Sequence, residues 1–186
     1  MKNNLGKLNS LYPLPTVLVG TVINGLPNYI TMAHVGVLVG NIVCMGMGKS
    51  HYSGQGIREN KTFSINVPST KQTVVTDFCG IVSGKNADKS ALFTSFYGEL
   101  KTAPMIEEFA VNMECRLKDH LDYGSHDVFI GEIISTFCDD SVLTDGRIDL
   151  KKIDPILFEM NTRKYWQLGD SYANAWSIGK THPKFV

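Results

Sequence analysis

The sequence has few cysteines, and none of them forms the close pairs that hold metals or make redox dithiols. The four residues are Cys44, Cys79, Cys115 and Cys138, with no Cys-x-x-Cys pair and no close Cys/His pair. Structural zinc sites and thioredoxin-like dithiols both carry such pairs. The first ten residues also lack the apolar core of a secretory signal. We therefore predict no metal site, free thiols and a reducing, cytoplasmic location.

Neither sign of charge is in excess, and no apolar run resembles a membrane helix. Lys and Arg number 18 and Asp and Glu number 18, so the formal net charge is zero. A non-specific nucleic-acid binder needs surplus Lys and Arg, so we expect no nucleic-acid partner. The apolar stretch from Tyr29 to Gly48 is β-branched and interrupted by glycines, which predicts two buried strands rather than a bilayer span. We therefore expect no membrane partner.

The sequence does contain many short strand patterns, with helical patterns only in its middle. Strands are predicted at Thr16–Ile23, Asn28–Val35, Ile42–Met47, Phe63–Val67, Val111–His120, Val128–Cys138 and Tyr165–Leu168. Helices are predicted at Ser53–Asn60 with Ser53 as N-cap, at Thr70–Cys79 and at Ser90–Tyr97. Asn24-Gly25 predicts a tight hairpin turn between the first two strands.

This order of elements predicts a mainly β, α+β protein built on an antiparallel barrel, with a few inserted or flanking helices. A βαβ repeat is not present. The length of 186 residues fits one domain better than two. We assign residues 12–186 to a single domain and residues 1–11 to an N-terminal extension.

The segment from Gly46 to Ser53 concentrates groups that bind anions. Lys49 supplies a cation, Ser50 and Ser53 supply hydroxyls, and His51 supplies a further donor. A helix that begins here would add its free N–H groups and its dipole. The segment ends like a P-loop, but Val43 stands where that motif requires glycine, which argues against a nucleotide triphosphatase. An anion site and an ordinary capped turn both remain open.

Three further features are candidate sites, each with a purely structural alternative. The strand from Asn28 to His34 places Tyr29, Thr31 and Ala33 on one face, and the small Ala33 would let a flat ligand approach the backbone. The loop after Cys79 carries Lys85 and Lys89, which are either ligands or solvated charges. His126 enters a long strand beside Asp127, which could orient the imidazole. Hydrolase chemistry has no support, because no Ser-His-Asp order or nucleophile elbow is present.

Seven segments between Tyr12 and Gly179 recur in the order and spacing of one known family. They are Pro13–Val17, Pro27–Ala33, Lys49–Ser53, Phe63–Val67, Cys79–Lys85 with Asp88 and Lys89, Gly98–Pro104, and Gly124–Glu132. Together they resemble the flavin reductase-like, FMN-binding split-barrel family, and within it most closely the flavoredoxins. The resemblance implies a homodimer of split barrels with FMN, rather than FAD, near the dimer interface.

The resemblance also implies a role for each candidate residue. The ring of FMN would be lined by Asn28, Tyr29, Thr31, Ala33 and His34. The phosphate would be bound by Lys49, Ser50, His51 and Ser53, and Lys85 or Lys89 would reach the cofactor. His126 would lie near the flavin as the catalytic residue. Relatives often carry Arg where His51 stands and Trp where His34 stands, which predicts weaker phosphate attraction and the loss of an aromatic wall.

The function implied by the resemblance is an FMN-containing oxidoreductase or electron carrier of the flavoredoxin type. Its electrons would come from NAD(P)H or from a redox partner protein. The chain has no GxGxxG fingerprint, so NAD(P)H would have to stack on the flavin rather than bind in a Rossmann domain. Two alternatives remain: an NAD(P)H:flavin reductase that releases reduced flavin, and a split-barrel binding module without redox turnover.

Overall fold

The alternating β-branched segments form a curled antiparallel sheet in the computed structural model, which describes residues 1–185. The strands are β1 (Leu14–Pro15), β2 (Val17–Ile23), β3 (Leu26–Met32), β4 (Val35–Val39), β5 (Ile42–Gly48), β6 (Thr62–Val67), β7 (Ser95–Phe96), β8 (Met105–Ile106), β9 (Val111–Tyr123), β10 (His126–Cys138), β11 (Leu143–Thr144), β12 (Arg147–Ile148), β13 (Leu157–Glu159) and β14 (Lys164–Trp166). The α-helices are α1 (Ser53–Asn60), α2 (Thr73–Ile81) and α3 (Leu150–Ile153). Short 3-10 turns lie at Thr70–Gln72, Ser90–Leu92, Asp140–Val142, Ile178–Thr181 and Pro183–Phe185.

The main sheet has seven strands in the order β3-β2-β6-β9-β10-β5-β4, and its neighbouring strands are antiparallel. Alternate residues of these strands face one core, because successive side chains of a strand point to opposite faces. Val19, Met45, Phe63 and Phe129 are fully buried there, and Ile57 of α1 packs into the same cluster. The predicted mainly β, antiparallel fold is therefore confirmed.

A second buried cluster holds α2 and the segment after it against the outer face of β2 and β3. Tyr29 and Phe93 meet edge to face with ring centroids 5.2 Å apart, and Phe93 meets Phe109 in the same way at 5.5 Å. Leu18 and Cys79 belong to the same cluster. Such aromatic pairs add specific geometry to apolar burial. The cluster fixes the C-terminal end of α2 beside β3, which is where the candidate site lies.

Two predicted elements are wrong in part. The predicted helix Ser90–Tyr97 is a 3-10 turn at Ser90–Leu92 followed by strand β7, because Phe93 takes an extended conformation that inserts its ring into the aromatic cluster. The predicted strand Asn28–Val35 ends at Met32, and Val35 begins β4, which pairs with β5 instead. None of the helices in residues 1–185 combines the length and hydrophobicity needed to cross a bilayer.

Candidate functional site

Two cavities meet where the start of α1 and the end of α2 approach β3. The larger has a volume of about 490 Å³ and the smaller about 300 Å³. His51, Gly80 and Ile81 line both of them, so the two cavities are adjacent, and we call them together the cleft. Volumes of this size are typical of cofactor and small-molecule sites.

Most of the residues singled out from the sequence line this region. The larger compartment is lined by Thr31, Ala33, His34, His51 and His126. The smaller compartment is lined by Ser50, His51, Ser53 and Lys89. A third cavity of about 340 Å³ adjoins the smaller compartment and is lined by Asn28, Lys85 and Lys89. The topology thus brings together residues from four separate segments of the chain.

Tyr29 and Lys49 do not line the cleft in the described part of the chain. Tyr29 is buried behind β3, where its hydroxyl lies 2.7 Å from Ser95 Oγ. Lys49 Nζ donates to Asp122 Oδ1 at 2.7 Å across the β9–β10 turn. An exposed ion pair of this kind contributes little stability, so Lys49 could exchange its partner at small cost.

Lys89 is the most unusual cation of the molecule, because it is only 3% exposed. Its Nζ donates to the carbonyl oxygens of Tyr29 at 2.9 Å and of Cys79 at 2.8 Å. Among residues 1–185 no carboxylate pairs with it, and burial lowers the pKa of Lys89 below its ordinary value. An ammonium has three N–H donors, so one remains for a ligand. A buried cation without a counterion is costly and favours an anionic ligand beside it.

The start of α1 adds further donors to the smaller compartment. The prediction that Ser53 is the N-cap of α1 is wrong. Tyr52 occupies the N-cap position, and Ser53 is the first helical residue. The Ser53 hydroxyl instead accepts from the buried amide of Asn28, whose Nδ2 lies 2.7 Å from Ser53 Oγ. Within the described chain the N–H groups of Tyr52 and Ser53 have no acceptor. Free N–H groups at a helix start attract anions.

The smaller compartment therefore has the electrostatic character of an anion site. Its lining includes Lys89, His51 and the hydroxyls of Ser50, Ser53 and Ser83, and no acidic residue of the described chain lines it. Burial lowers the pKa of His51, and the charges of His126 and Lys89 lower it further. His51 thus contributes a hydrogen bond rather than a positive charge at neutral pH.

His126 and His51 both approach Gly48 at the edge of the larger compartment. A Cβ placed on Gly48 would lie 3.8 Å from Nε2 of both histidines, so glycine leaves an open space between the two rings. Nδ1 of His126 lies 2.8 Å from Ser125 Oγ. When the serine donates to Nδ1, the proton of the ring resides on Nε2, the nitrogen beside Gly48.

Asp127 does not orient His126, and that prediction is wrong. Successive residues of a strand point to opposite faces, so Asp127 points away from the cleft. It is buried, with Oδ2 accepting from Arg58 Nη1 at 2.7 Å and Oδ1 lying 2.9 Å from His120 Nε2. His120 in turn stacks on Phe129 with centroids 5.0 Å apart. This cluster ties α1 to the long hairpin of β9 and β10 instead.

One wall of the larger compartment was not recognised from the sequence. It is formed by the β13–β14 hairpin, which contributes Phe158, Met160, Arg163 and Tyr165. The Tyr165 hydroxyl donates to Asp77 Oδ1 of α2 at 2.7 Å and fixes the hairpin over the cleft. The sequence predicted a short strand at Tyr165–Leu168, where the structure has β14 (Lys164–Trp166), but it gave no signal for a role in a site.

Gly84 offers a test of how tightly the cleft is built. A Cβ on Gly84 would overlap Oδ1 of Asn28, whose amide nitrogen holds Ser53. We expect Gly84→Ala to lower the free energy of unfolding by about 1–3 kcal/mol, because the buried Asn28 must shift. Denaturant titration measures this. Gly36→Ala, where a Cβ would meet nothing within 4 Å, is the matched control, and equal effects of the two changes would contradict the assigned packing.

Comparisons with known proteins agree with this architecture. The sequence model described as "Flavin reductase like domain" matches residues 9–164. The structure of flavoredoxin from Methanosarcina acetivorans is 40% identical, covers 97% of this chain and 98% of its own, and superposes with a TM-score of 0.94. Flavoredoxin of Desulfovibrio vulgaris (Miyazaki F) is 34% identical, with coverages of 97% and 100% and a TM-score of 0.90. The FMN reductase (NADH) RutF of Agrobacterium fabrum is 27% identical over 50% of this chain and 51% of its own. Since the family model spans most of the sequence and the fold agrees throughout, the chain belongs to the flavin reductase-like domain family.

Proposed function

We propose that the chain binds FMN in the cleft and acts as a flavin-dependent oxidoreductase or electron carrier of the flavoredoxin type. The observation that carries this proposal is that one cleft joins an anion site around Lys89 to a larger, partly apolar compartment beside His126. FMN combines the two corresponding parts, a doubly charged phosphate and a flat ring system. The likeness to two flavoredoxins over nearly the whole chain supports the same function.

The residues present fit the two parts of FMN. The phosphate would be held by the hydroxyls of Ser50 and Ser53, by His51 and by the third N–H of Lys89. The ring would lie against Met32, Ile81, Phe158 and Met160, which line the larger compartment together with Gly46 and Gly48. Because Gly46 and Gly48 have no Cβ, a flat group can lie close to their backbone. When bound, the flavin itself supplies the redox chemistry.

The family resemblance implies Trp where His34 stands and Arg where His51 stands, and the structure offers a physical substitute for each. Burial and the nearby His126 and Lys89 lower the pKa of His51, so the charge for a phosphate would come from Lys89. His34 stands exposed at the turn before β4, and Phe158 supplies an aromatic side chain to the same compartment from the β13–β14 hairpin. We infer that these two residues perform the tasks of the missing Arg and Trp.

The catalytic role in this proposal falls to His126. Its ring is held by Ser125, and its Nε2 faces the space over Gly48. From there the ring would donate a hydrogen bond to the reacting part of the ligand and stabilise the charge that develops there. The β13–β14 hairpin, fixed by Tyr165 and Asp77, would limit the access of water from the opposite side.

A second candidate is an NADH:flavin reductase that releases reduced flavin, which the similarity to RutF supports. The two candidates differ in how firmly FMN is held. In both, we propose a homodimer and a nicotinamide nucleotide or a redox partner protein as the electron donor.

Absorbance spectroscopy of the purified full-length chain tests the proposal. We expect flavin absorbance bands at about 370 and 450 nm, and we expect the protein to keep these bands after gel filtration in high salt. Loss of the bands during filtration, with NADH oxidation that depends on added FMN, would favour the flavin reductase. A colourless protein that takes up no FMN on titration would refute both and leave a binding module without redox turnover.

A further inference from the structure

The face of the β13–β14 hairpin that forms a wall of the cleft ends in a cation. Phe158 of β13 lies opposite Tyr165 of β14, and Met160 and Arg163 follow them toward the tip of the hairpin. All four residues line the larger compartment. Met160 and Arg163 are also exposed to solvent, so the tip lies at the opening of this compartment.

The turn at the tip is held by Glu159, and Arg163 is left without a counterion. The Glu159 carboxylate accepts from the backbone N–H of Thr162 at 3.0 Å and also from the Thr162 hydroxyl. Arg163 follows this turn with a left-handed φ of 55°. Among residues 1–185, no carboxylate lies within ion-pair distance of Arg163. The nearest acid in the sequence therefore stabilises the turn instead of pairing with the guanidinium.

This guanidinium is distinct from the anion site around Lys89. Arg163 is the one lysine or arginine among the described residues that line the larger compartment, whereas Lys89 lines the smaller one. The acid of the larger compartment is Asp77, whose Oδ1 accepts from the Tyr165 hydroxyl at 2.7 Å. A guanidinium presents its N–H donors in a planar fork that matches two oxygens of a phosphate. The opening of the larger compartment thus offers a second phosphate-binding group.

We propose that Arg163 binds a phosphate of a nicotinamide dinucleotide, the molecule that brings electrons to the flavin. The inference rests on the proposed function, in which Lys89 takes the phosphate of FMN and the flavin ring lies in the larger compartment. A reductant would then enter through the opening beside Arg163. The role of Arg163 is binding alone, and no bond of the reductant forms or breaks at the guanidinium.

A dinucleotide fits this position better than a redox protein does. Arg163 lines a recess of about 490 Å³ rather than a flat surface, and it stands there as a single cation. A recess admits a small molecule, whereas attraction of an acidic protein depends on the summed field of several surface charges. The neighbouring Lys164 lies opposite Glu159 and does not line the cleft.

Arg163→Gln tests the assignment, with Lys164→Gln as the matched control. Each change removes one positive charge from the same hairpin. Stopped-flow reduction of the FMN-loaded chain is measured over a range of NADH concentrations. We expect the apparent Kd for NADH to rise at least about tenfold in Arg163→Gln at a nearly unchanged limiting rate, because a charge-assisted phosphate contact is lost. Lys164→Gln should match the unsubstituted chain, and Arg163→Lys should recover part of the affinity because it keeps the charge without the fork.

A hydride donor without phosphate assigns the effect to the phosphate contact. With 1-benzyl-1,4-dihydronicotinamide, Arg163→Gln and the unsubstituted chain should reduce at the same rate. Calorimetric titration with oxidised NAD⁺, with and without FMN, gives the affinity in the absence of turnover. It should show the same loss of at least about tenfold in Arg163→Gln, while the affinity for FMN itself stays unchanged.

Three results would overturn the proposal: equal NAD⁺ affinities in Arg163→Gln and the unsubstituted chain, no NAD⁺ binding to either, or a loss of FMN affinity in Arg163→Gln, since Arg163 would then serve the flavin. Flavin absorbance of the same samples separates the proposal from the proposed function. Bound FMN with equal NAD⁺ affinities refutes the role of Arg163 alone. Binding of NAD⁺ that depends on Arg163, in a chain that takes up no FMN, upholds this role and refutes FMN binding.

Discussion

Lys89→Met is expected to weaken FMN binding about ten- to a hundredfold, because it removes one charge-assisted hydrogen bond to the phosphate. We expect a large effect because Lys89 is buried and no carboxylate of residues 1–185 pairs with it. Methionine keeps the length and the apolar part of the side chain. Lys85→Met is the matched control: Lys85 lies in the same loop but is exposed, with its Nζ 6.0 Å from the centre of the Tyr52 ring.

Titration of both variants with FMN and with riboflavin measures the effect and assigns it to the phosphate. If Lys89 contacts the phosphate, Lys89→Met should lose affinity for FMN and retain most of its affinity for riboflavin. Thermal unfolding of the free proteins controls for the two carbonyl groups that lose their donor. An equal loss for both ligands, or a larger loss in Lys85→Met, would contradict the assigned anion site.

The pH dependence of FMN binding follows from the same residue. Burial lowers the pKa of Lys89 from its ordinary value of 10.5, so the free folded protein releases this proton at a lower pH than the unfolded chain does. Lys89 by itself therefore makes the free protein gain stability as pH rises between the two pKa values. FMN binding needs the charged ammonium and should weaken as pH rises through the lowered value. This weakening of FMN binding with rising pH should be absent in Lys89→Met. Isothermal titration of both proteins with FMN at several pH values measures it.

Local patterns in the sequence predicted much of the β structure because they depend on neighbouring residues only. Asn24 and Gly25 take φ values of 52° and 80°, which is the positive region that a tight hairpin turn requires. The alternation of Phe63, Ile65 and Val67 predicted β6 almost to its ends. In each case the chemistry of a short segment determines the backbone conformation.

Errors arose where a distant residue decides the local structure. Asp122, 73 residues from Lys49, draws that ammonium toward the β9–β10 turn. Asn28, 25 residues before Ser53, donates to the Ser53 hydroxyl and so joins the start of α1 to β3, a contact that no local pattern contains. The wall formed by the β13–β14 hairpin depends on the pairing of β13 with β1 across almost the whole chain, which no local pattern contains. Site residues that depend on such contacts could be suggested from the sequence only through the family resemblance.

His126→Ala is expected to slow reduction of the bound flavin by about 10²–10⁴-fold while FMN stays bound. The reason is the position of Nε2 over Gly48, where the ring would donate to the group that gains charge during reduction. Ser125→Ala should act in the same direction with a smaller effect, since it frees the ring to rotate without removing it. Anaerobic stopped-flow measurement of flavin bleaching by NADH, or by dithionite where NADH is inactive, gives the rate.

His120→Ala is the matched control, because this histidine lies on the same hairpin but contacts Asp127 and Phe129 on the side away from the cleft. It should lower the free energy of unfolding and leave the reduction rate unchanged. His126→Ala should slow reduction and leave the free energy of unfolding nearly unchanged. His126 is exposed, and its one side-chain hydrogen bond in the described chain is to Ser125. An unchanged reduction rate in His126→Ala at full flavin occupancy would remove His126 from the site. The electrostatic work would then fall to His51, which lies equally close to the space over Gly48.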